Sequence, residues 1–329
     1  MSTFVRTILG DIDPQRMRVC YAHEHVIIDE SYTTETNPDF LLNDVEPIAQ
    51  ELTQARASGV GTMIESMPGG GAGRNVLKLA DVSRRSGVHI VCPTGLHLSK
   101  YYPRGHWSAR ISEDALTKVW VDEIEQGIDA NDLAGPQVIR TSYKAGVIKV
   151  AGGRDRLSDH EHKCFRAAAA AHMKTGAPIL THTDEGTAAV EQLELLRSNG
   201  VDLAHVVLSH TDRKPDLGYH REILATGVRV EYDSSFRWKP GQPNHTLNLI
   251  VALHEQFPDQ ILLGMDAARR SYWRCFGGGP GMSYLVDTFV PMLREVGVAQ
   301  QQVDRILIHN PAGAYQFINE QSNNQRSDS

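Results

Sequence analysis

RVCYAHEHVII, residues Arg18–Ile28, is rich in Val, Ile and Tyr and reads as a β-strand. Residues two apart on a strand share a face, so His23 and His25 point the same way. Two imidazoles side by side suit a single metal ion. Glu24 then points the other way and is expected to be structural. The pattern is not HExxH, which needs a helix and a four-residue spacing. If this run is a strand, seven similar runs follow it: GTMIESM from Gly61, HIVCPTG from His89, AGVIKVA from Ala145, APILTHT from Ala177, HVVLSHT from His205, VRVEYDSS from Val228 and ILLGMDA from Ile261.

Helical patterns separate these runs. DVEPIAQELTQARASG carries Pro early and Gly late, and NVLKLADVSRRSG, HEHKCFRAAAAAHMKTG and GTAAVEQLELLRSNG also stop at Gly. Strand and helix in repeated alternation imply parallel pairing. Eight such strands in 329 residues predict an α/β protein, a single-domain (β/α)8 TIM barrel over residues 1–320, with the polar 321–329 a disordered tail. An open doubly wound sheet is the runner-up, but the Gly-rich phosphate loop it needs after the first strand is missing from HEHVIIDESYTT. A short hairpin is expected before the first strand. A long connection from His97 to Lys144 holds one helical piece, SEDALTKVWVDEIEQG.

The net charge of −7 argues against nucleic-acid binding, which wants a basic face. Cys20, Cys92, Cys164 and Cys275 form no CxxC pair, and buried, reduced thiols are expected. Neither a signal-like apolar segment nor a run of membrane-spanning length is present, so a soluble cytoplasmic protein is expected, with no membrane partner; a homodimer is compatible with the sequence.

Barrels gather their chemistry at the C-terminal ends of the strands. There this chain places His23, His25, Lys149, His182, His210 and Asp266. One such histidine is usually structural; four, with an aspartate, imply a metal site. Lys149 fits poorly as an ammonium, which has no lone pair. As a neutral amine it can add CO2 and become an anionic carbamate that bridges two cations, and burial favours the neutral form.

The order HxH, Lys, His, His, Asp resembles the phosphotriesterase family of the amidohydrolase superfamily. The matching stretches are AHEHVI, GVIKVA, LTHTDEG, LSHTDRKPD, LLGMDAARR and the closing RILIHNPAGAYQF, so the resemblance spans nearly the whole chain. It implies two divalent metal ions, with His23, His25 and Asp266 on one, His182 and His210 on the other, and carbamylated Lys149 and a hydroxide bridging them. Zn is expected, with Mn or Co as alternatives. Asp266 would be the catalytic proton carrier in a hydrolysis by the bridging hydroxide.

Two loops point to the substrate. DAARRSYWRCFGGGPGMSYL carries Arg269, Arg270, Arg274, Tyr272 and Trp273, and SSFRWKPGQP carries Arg237 and Lys239. Guanidinium forks match carboxylate or phosphate. Within the family the chain most resembles the phosphorylated sugar lactonases, and that resemblance puts the substrate phosphate on Lys239, Arg269 and Tyr272, with Arg270 as an alternative to Arg269. The expected partner is a small anionic lactone, a pentonolactone 5-phosphate. Strand seven ends at Asp233 without a histidine, which disfavours efficient phosphotriester hydrolysis. His97 and either Tyr101 or Tyr102 are expected at the pocket. Asp184, Glu185 and Asp212 are expected to orient ligand histidines, and His89, His106, His162, His172 and His205 to be structural. The rival readings are an acyl-homoserine lactonase, an amidase, a weak phosphotriesterase and a non-catalytic metal-binding protein.

Overall fold

The computed structural model describes residues 3–239 and 241–318, so the expected tail at 321–329 lies outside the described residues. A hairpin, β1 (Val5–Thr7) and β2 (Gly10–Ile12), precedes β3 (Val19–Glu24), β4 (Val60–Glu65), β5 (His89–Val91), β6 (Pro93–Gly95), β7 (Val147–Gly152), β8 (Ile179–Thr183), β9 (Val206–Ser209), β10 (Arg229–Tyr232) and β11 (Ile261–Leu263). β3, β4 and β5 pair in parallel, and so do β6 through β11 in order. Only Cys92 separates β5 from β6, so these two form one stave and join the two sheets. The ring closes where the Asp266 N–H donates to the His23 carbonyl at 3.0 Å. Eight parallel staves therefore form the closed barrel that the strand-helix alternation predicts.

Helices cover the outside. α1 (Tyr32–Thr36), α2 (Val45–Ala57), α3 (Val76–Ser86), α4 (Glu113–Glu125), α5 (Asp159–Thr175), α6 (Ala189–Ser198), α7 (Leu217–Leu224) and α8 (His245–Leu253) begin and end where local chemistry directs. Ser158 caps α5 in a reciprocal box with Glu161, and Gly176 closes it at φ 70°. Two packing layers result. Tyr21, Met63, Ile90, Ile148, Ile179 and Leu208 face the helices, while Cys20, Ile64, Val91, Val147, Leu180 and Val207 fill the barrel with Val5 and Ile12 of the hairpin. The hairpin thus plugs the N-terminal end, leaving the C-terminal end for chemistry.

The long 97–144 connection is fastened by a buried ion cluster. Arg74 donates to Glu123 at 2.7 and 2.8 Å and to Asp132 at 2.9 Å, and Thr94 donates to Glu123 at 2.6 Å. The cysteines are free, with Cys20, Cys92 and Cys164 buried. Among the described residues no helix is long and apolar enough to cross a membrane.

Candidate metal centre

The opening strand is shorter than its sequence suggests. β3 stops at Glu24, and its pairing with β4 slips between Tyr21 and Glu24. Cys20 and Ala22 face the barrel interior, so strict alternation would also send Glu24 inward. The slip instead lets His23 reach the interior Ser209, with Nδ1 2.8 Å from its hydroxyl. Glu24 has the structural role expected of it: its carboxylate accepts the Met265 N–H at 2.7 Å and the Ala267 N–H at 3.3 Å, on either side of Asp266. His25 lies one residue beyond the strand, beside the buried Glu65, which accepts the Val26 N–H at 2.7 Å.

The candidate histidines form a chain of rings. Centroids lie 5.6 Å apart for His25 and His23, 4.5 Å for His23 and His210, and 4.7 Å for His210 and His182. His97 continues the row, 4.8 Å from His182. Asp266 Oδ1 faces the first pair, 3.2 Å from His25 Nε2 and 3.7 Å from His23 Nε2. Its other oxygen accepts from Arg213 at 2.6 Å and Arg237 at 3.0 Å. Arg237 also donates to the Asp266 carbonyl at 2.7 Å. Asp266 at φ 47° and His210 at φ 67° both hold left-handed backbone that L-residues seldom adopt, as is common where a fold fixes functional groups.

Lys149 lies on β7, fully buried, and its ammonium nitrogen has no hydrogen-bond partner among the described residues. Burial pushes its pKa down to about 7, against the opposing pull of Asp266, Glu231 and Asp233. Gly95 makes room for this strand: a Cβ there would stand 1.8 Å from the Lys149 carbonyl oxygen, at a φ of 119°. Burial likewise lowers His182 to about 4 despite Asp184 nearby. For His25, burial acts downward, but Asp266 and Glu65 overcome it and raise the pKa to about 9.

Two donor groups could hold ions. In His23, His25 and Asp266, and again in His23, His210, Glu231 and Asp233, one ligand atom per residue lies within 4.8 Å of the others. Lys149 Nζ, His182 Nε2 and both Glu231 oxygens are buried without hydrogen-bond partners among the described residues. Buried polar groups normally have partners; a cation would satisfy the His182 and Glu231 atoms, whereas Lys149 Nζ, which has no lone pair as an ammonium, can join them only as the neutral amine or its carbamate.

Glu231, Asp233, Arg213 and Ser209 were not among the site residues expected from sequence. Glu231 and Asp233 stand two apart in the apolar run VRVEYDSS, the same signal that marks His23 and His25. Asp233 makes a very short contact with His210 Nδ1, and it also accepts from Arg213 at 3.2 Å. Of the three acids expected to orient histidines, only Asp184 faces its neighbour, 3.8 Å from His182 Nε2. Asp212 instead accepts from Ser234 at 2.9 Å and Thr246 at 2.6 Å, and Glu185 is exposed. His106, His162 and His172 bond to Ser108, Glu191 and the Ala177 carbonyl.

The histidines floor a cavity of about 220 Å³, walled by Phe40, Met67, Tyr101, Arg213, Arg269 and Tyr272 among others. His97 and Tyr101 line it, whereas Tyr102 is buried and donates to the Gly69 carbonyl at 3.0 Å. The structure separates the two adjacent arginines. Arg270 turns away, bonding the Leu41 carbonyl at 3.0 Å over the Phe276 ring, while Arg269 faces the cavity. Lys239 does not line this cavity; it is exposed on a neighbouring one of about 680 Å³ that shares Arg237 and Tyr272.

Residues 3–315 match the model of the phosphotriesterase family. A phospho-furanose lactonase of Mycoplasmopsis agalactiae is 34% identical over 94% of this chain and 90% of its own length. An amidohydrolase crystal structure from Mycoplasma synoviae superposes with a TM-score of 0.92 at 30% identity, covering 99% of this chain and 98% of that one. The Escherichia coli phosphotriesterase homology protein, crystallised with phosphate in its active site, gives 0.83 at 34% identity, covering 92% and 99%. The chain belongs to the phosphotriesterase family, as a hydrolase built on an α/β barrel.

Proposed function

We propose that this chain is a metal-dependent lactonase that opens the ring of a phosphorylated sugar lactone of the pentonolactone 5-phosphate type. The observation that carries the reading is the Arg269 guanidinium, beside Tyr272, on the same cavity as the row of histidines. The phospho-furanose lactonase at 34% identity supports it.

In this reading His23, His25 and Asp266 would hold one divalent ion and His182 and His210 a second, and Lys149, once carbamylated, would add an anionic ligand to the pair. The amine adds CO2 and releases one proton, a step favoured by its pKa near 7. Zn fits this nitrogen and oxygen donor set, and Mn or Co would also serve. The bound ions would supply Lewis-acid activation of water and of the lactone carbonyl. Asp266 accepts the proton of the attacking water and returns it to the ring oxygen as the C–O bond breaks. Arg213 and Arg237 hold Oδ2 and so fix which oxygen of Asp266 faces the histidines. Arg269 and Tyr272 take the phosphate, and Lys239 extends the positive field from the adjoining cavity.

Arg269→Ala is expected to raise KM for the phosphorylated lactone about 10- to 100-fold and to leave the unphosphorylated parent nearly unchanged. Steady-state assays of acid release on both substrates check this. An equal effect on the two removes the phosphate assignment.

A further inference from the structure

The opposite end of the barrel carries a second polar cleft. Gln15 and Arg16 come from the turn Pro14–Met17, Arg18 from the entry to β3, Arg56 from the end of α2, Gly61 from the start of β4 and His89 from the start of β5. All lie where strands begin, so the cleft opens away from the histidine row. Its volume is about 310 Å³. Three guanidiniums and an imidazole line it without a single carboxylate, on a chain whose net charge is −7.

The cleft is built by the backbone. Arg18 holds φ 57° and ψ −148°, a strained conformation for a residue with a side chain. The Thr62 hydroxyl fixes the preceding Met17 carbonyl at 2.7 Å. Gly61 lets the two segments touch: a Cβ there would lie 2.4 Å from the Met17 oxygen and 2.7 Å from the Arg18 Cβ. The chain thus accepts local strain to bring Arg18 beside Arg16 and Arg56. The half-buried His89 shows the resulting field. Its pKa is lowered by burial and then by Arg16, Arg56 and Arg18, with no acid acting in the other direction. Arg16, Arg18 and Arg56 are exposed to solvent, and together they give this cleft a local positive field on an acidic chain.

We propose that this cleft binds a small anion through its phosphate group, at a site separate from the hydrolytic cavity. Guanidinium forks present paired N–H donors to phosphate oxygens, and the volume accommodates a phosphate with a short carbon skeleton. The proposal does not depend on which lactone the other face opens.

Equilibrium dialysis of the metal-loaded enzyme with labelled inorganic phosphate at constant ionic strength tests it, comparing wild type with Arg16→Gln/Arg18→Gln. The wild type is expected to bind one more phosphate per chain than the double variant, whose affinity at that site falls about tenfold or more. Turnover and its inhibition by phosphate, which report the histidine cavity, should be unchanged. A second arm with a pentose 5-phosphate separates the sources: tighter binding than phosphate identifies a sugar phosphate, and equal binding identifies free phosphate. The same number of bound phosphates in both proteins overturns the site. So does a double variant with the wild-type unfolding temperature whose only change is in inhibition at the hydrolytic cavity.

Discussion

Lys149→Met is expected to abolish lactone turnover and at the same time make the metal-free protein more stable. The two effects have one cause. The Lys149 nitrogen is fully buried and lacks a hydrogen-bond partner among the described residues. An unpaired buried polar group costs about 1–3 kcal/mol, and methionine fills a similar volume without it. A lysine kept for stability would behave in the opposite way. If Lys149 serves as the carbamate between two ions, the variant should hold fewer than the two divalent ions per chain expected of the wild type, and turnover should fall by about 10³-fold or more. Elemental analysis, lactone assays and thermal unfolding in chelator and CO2-free buffer read all three quantities. A variant with full metal and full turnover would falsify the bridge, and a variant destabilised without its metal would mark Lys149 as structural.

The stability gain should depend on pH in a defined direction. Lys149 has its folded pKa pushed down to about 7 from the ordinary 10.5. Between those values the unfolded chain binds the extra proton, so wild-type stability from this group rises with pH. The advantage of Lys149→Met is therefore greatest near pH 7 and shrinks toward pH 10. His25 titrates in the same window with the opposite sign, because its folded pKa is raised to about 9. Both proteins carry that contribution, so the difference between their unfolding curves isolates Lys149. A gap that widens toward pH 10 would contradict the burial argument.

The sequence made the barrel legible because each stave is a short apolar run and α2, α3, α5 and α6 stop at or just before a glycine, both local signals. The six candidate site residues stand out because they interrupt those apolar runs, Lys149 inside AGVIKVA and the others at or just past the C-terminal ends. The slip in β3 was not, since it arises from pairing with β4 and leaves the spacing of His23 and His25 unchanged. Periodicity therefore gave both histidines one orientation for an incomplete reason. Arg213 follows His210 by three residues in a polar loop, and nothing local shows that its guanidinium reaches a carboxylate 53 residues away. Arg269 and Arg270 were likewise equivalent in sequence. The turn at Arg270–Tyr272 sends one over the Phe276 ring and the other into the cavity. Glu231 and Asp233 did carry a local signal, two acids alternating in an apolar strand. Carboxylates in a strand are ambiguous on their own, because the same alternation also serves a solvent-facing strand edge.

Asp266→Asn is expected to lower kcat on a lactone by about 10²–10⁴-fold, the usual range for a positioned acid–base group. The geometry makes the substitution informative because the carboxylate is divided between two tasks. Oδ1 faces His25 and His23, while Oδ2 is held by Arg213 and Arg237. Although burial opposes it, Arg237 and the cationic neighbours hold this carboxyl well below the usual carboxylate range, so it stays ionised across the working pH. A carboxylate so held moves a proton only transiently, and its value lies in delivering that proton to the departing ring oxygen. A lactone alkoxide needs the proton; a nitrophenolate leaves without it. Asp266→Asn should therefore cost far more on the lactone than on a nitrophenyl ester of similar size, with the backbone anchor from Arg237 to the Asp266 carbonyl keeping the loop in place. Equal losses on both substrates, with metal lost in parallel, would reduce Asp266 to a metal ligand. Turnover within about threefold of wild type on the lactone would remove it from the chemistry altogether.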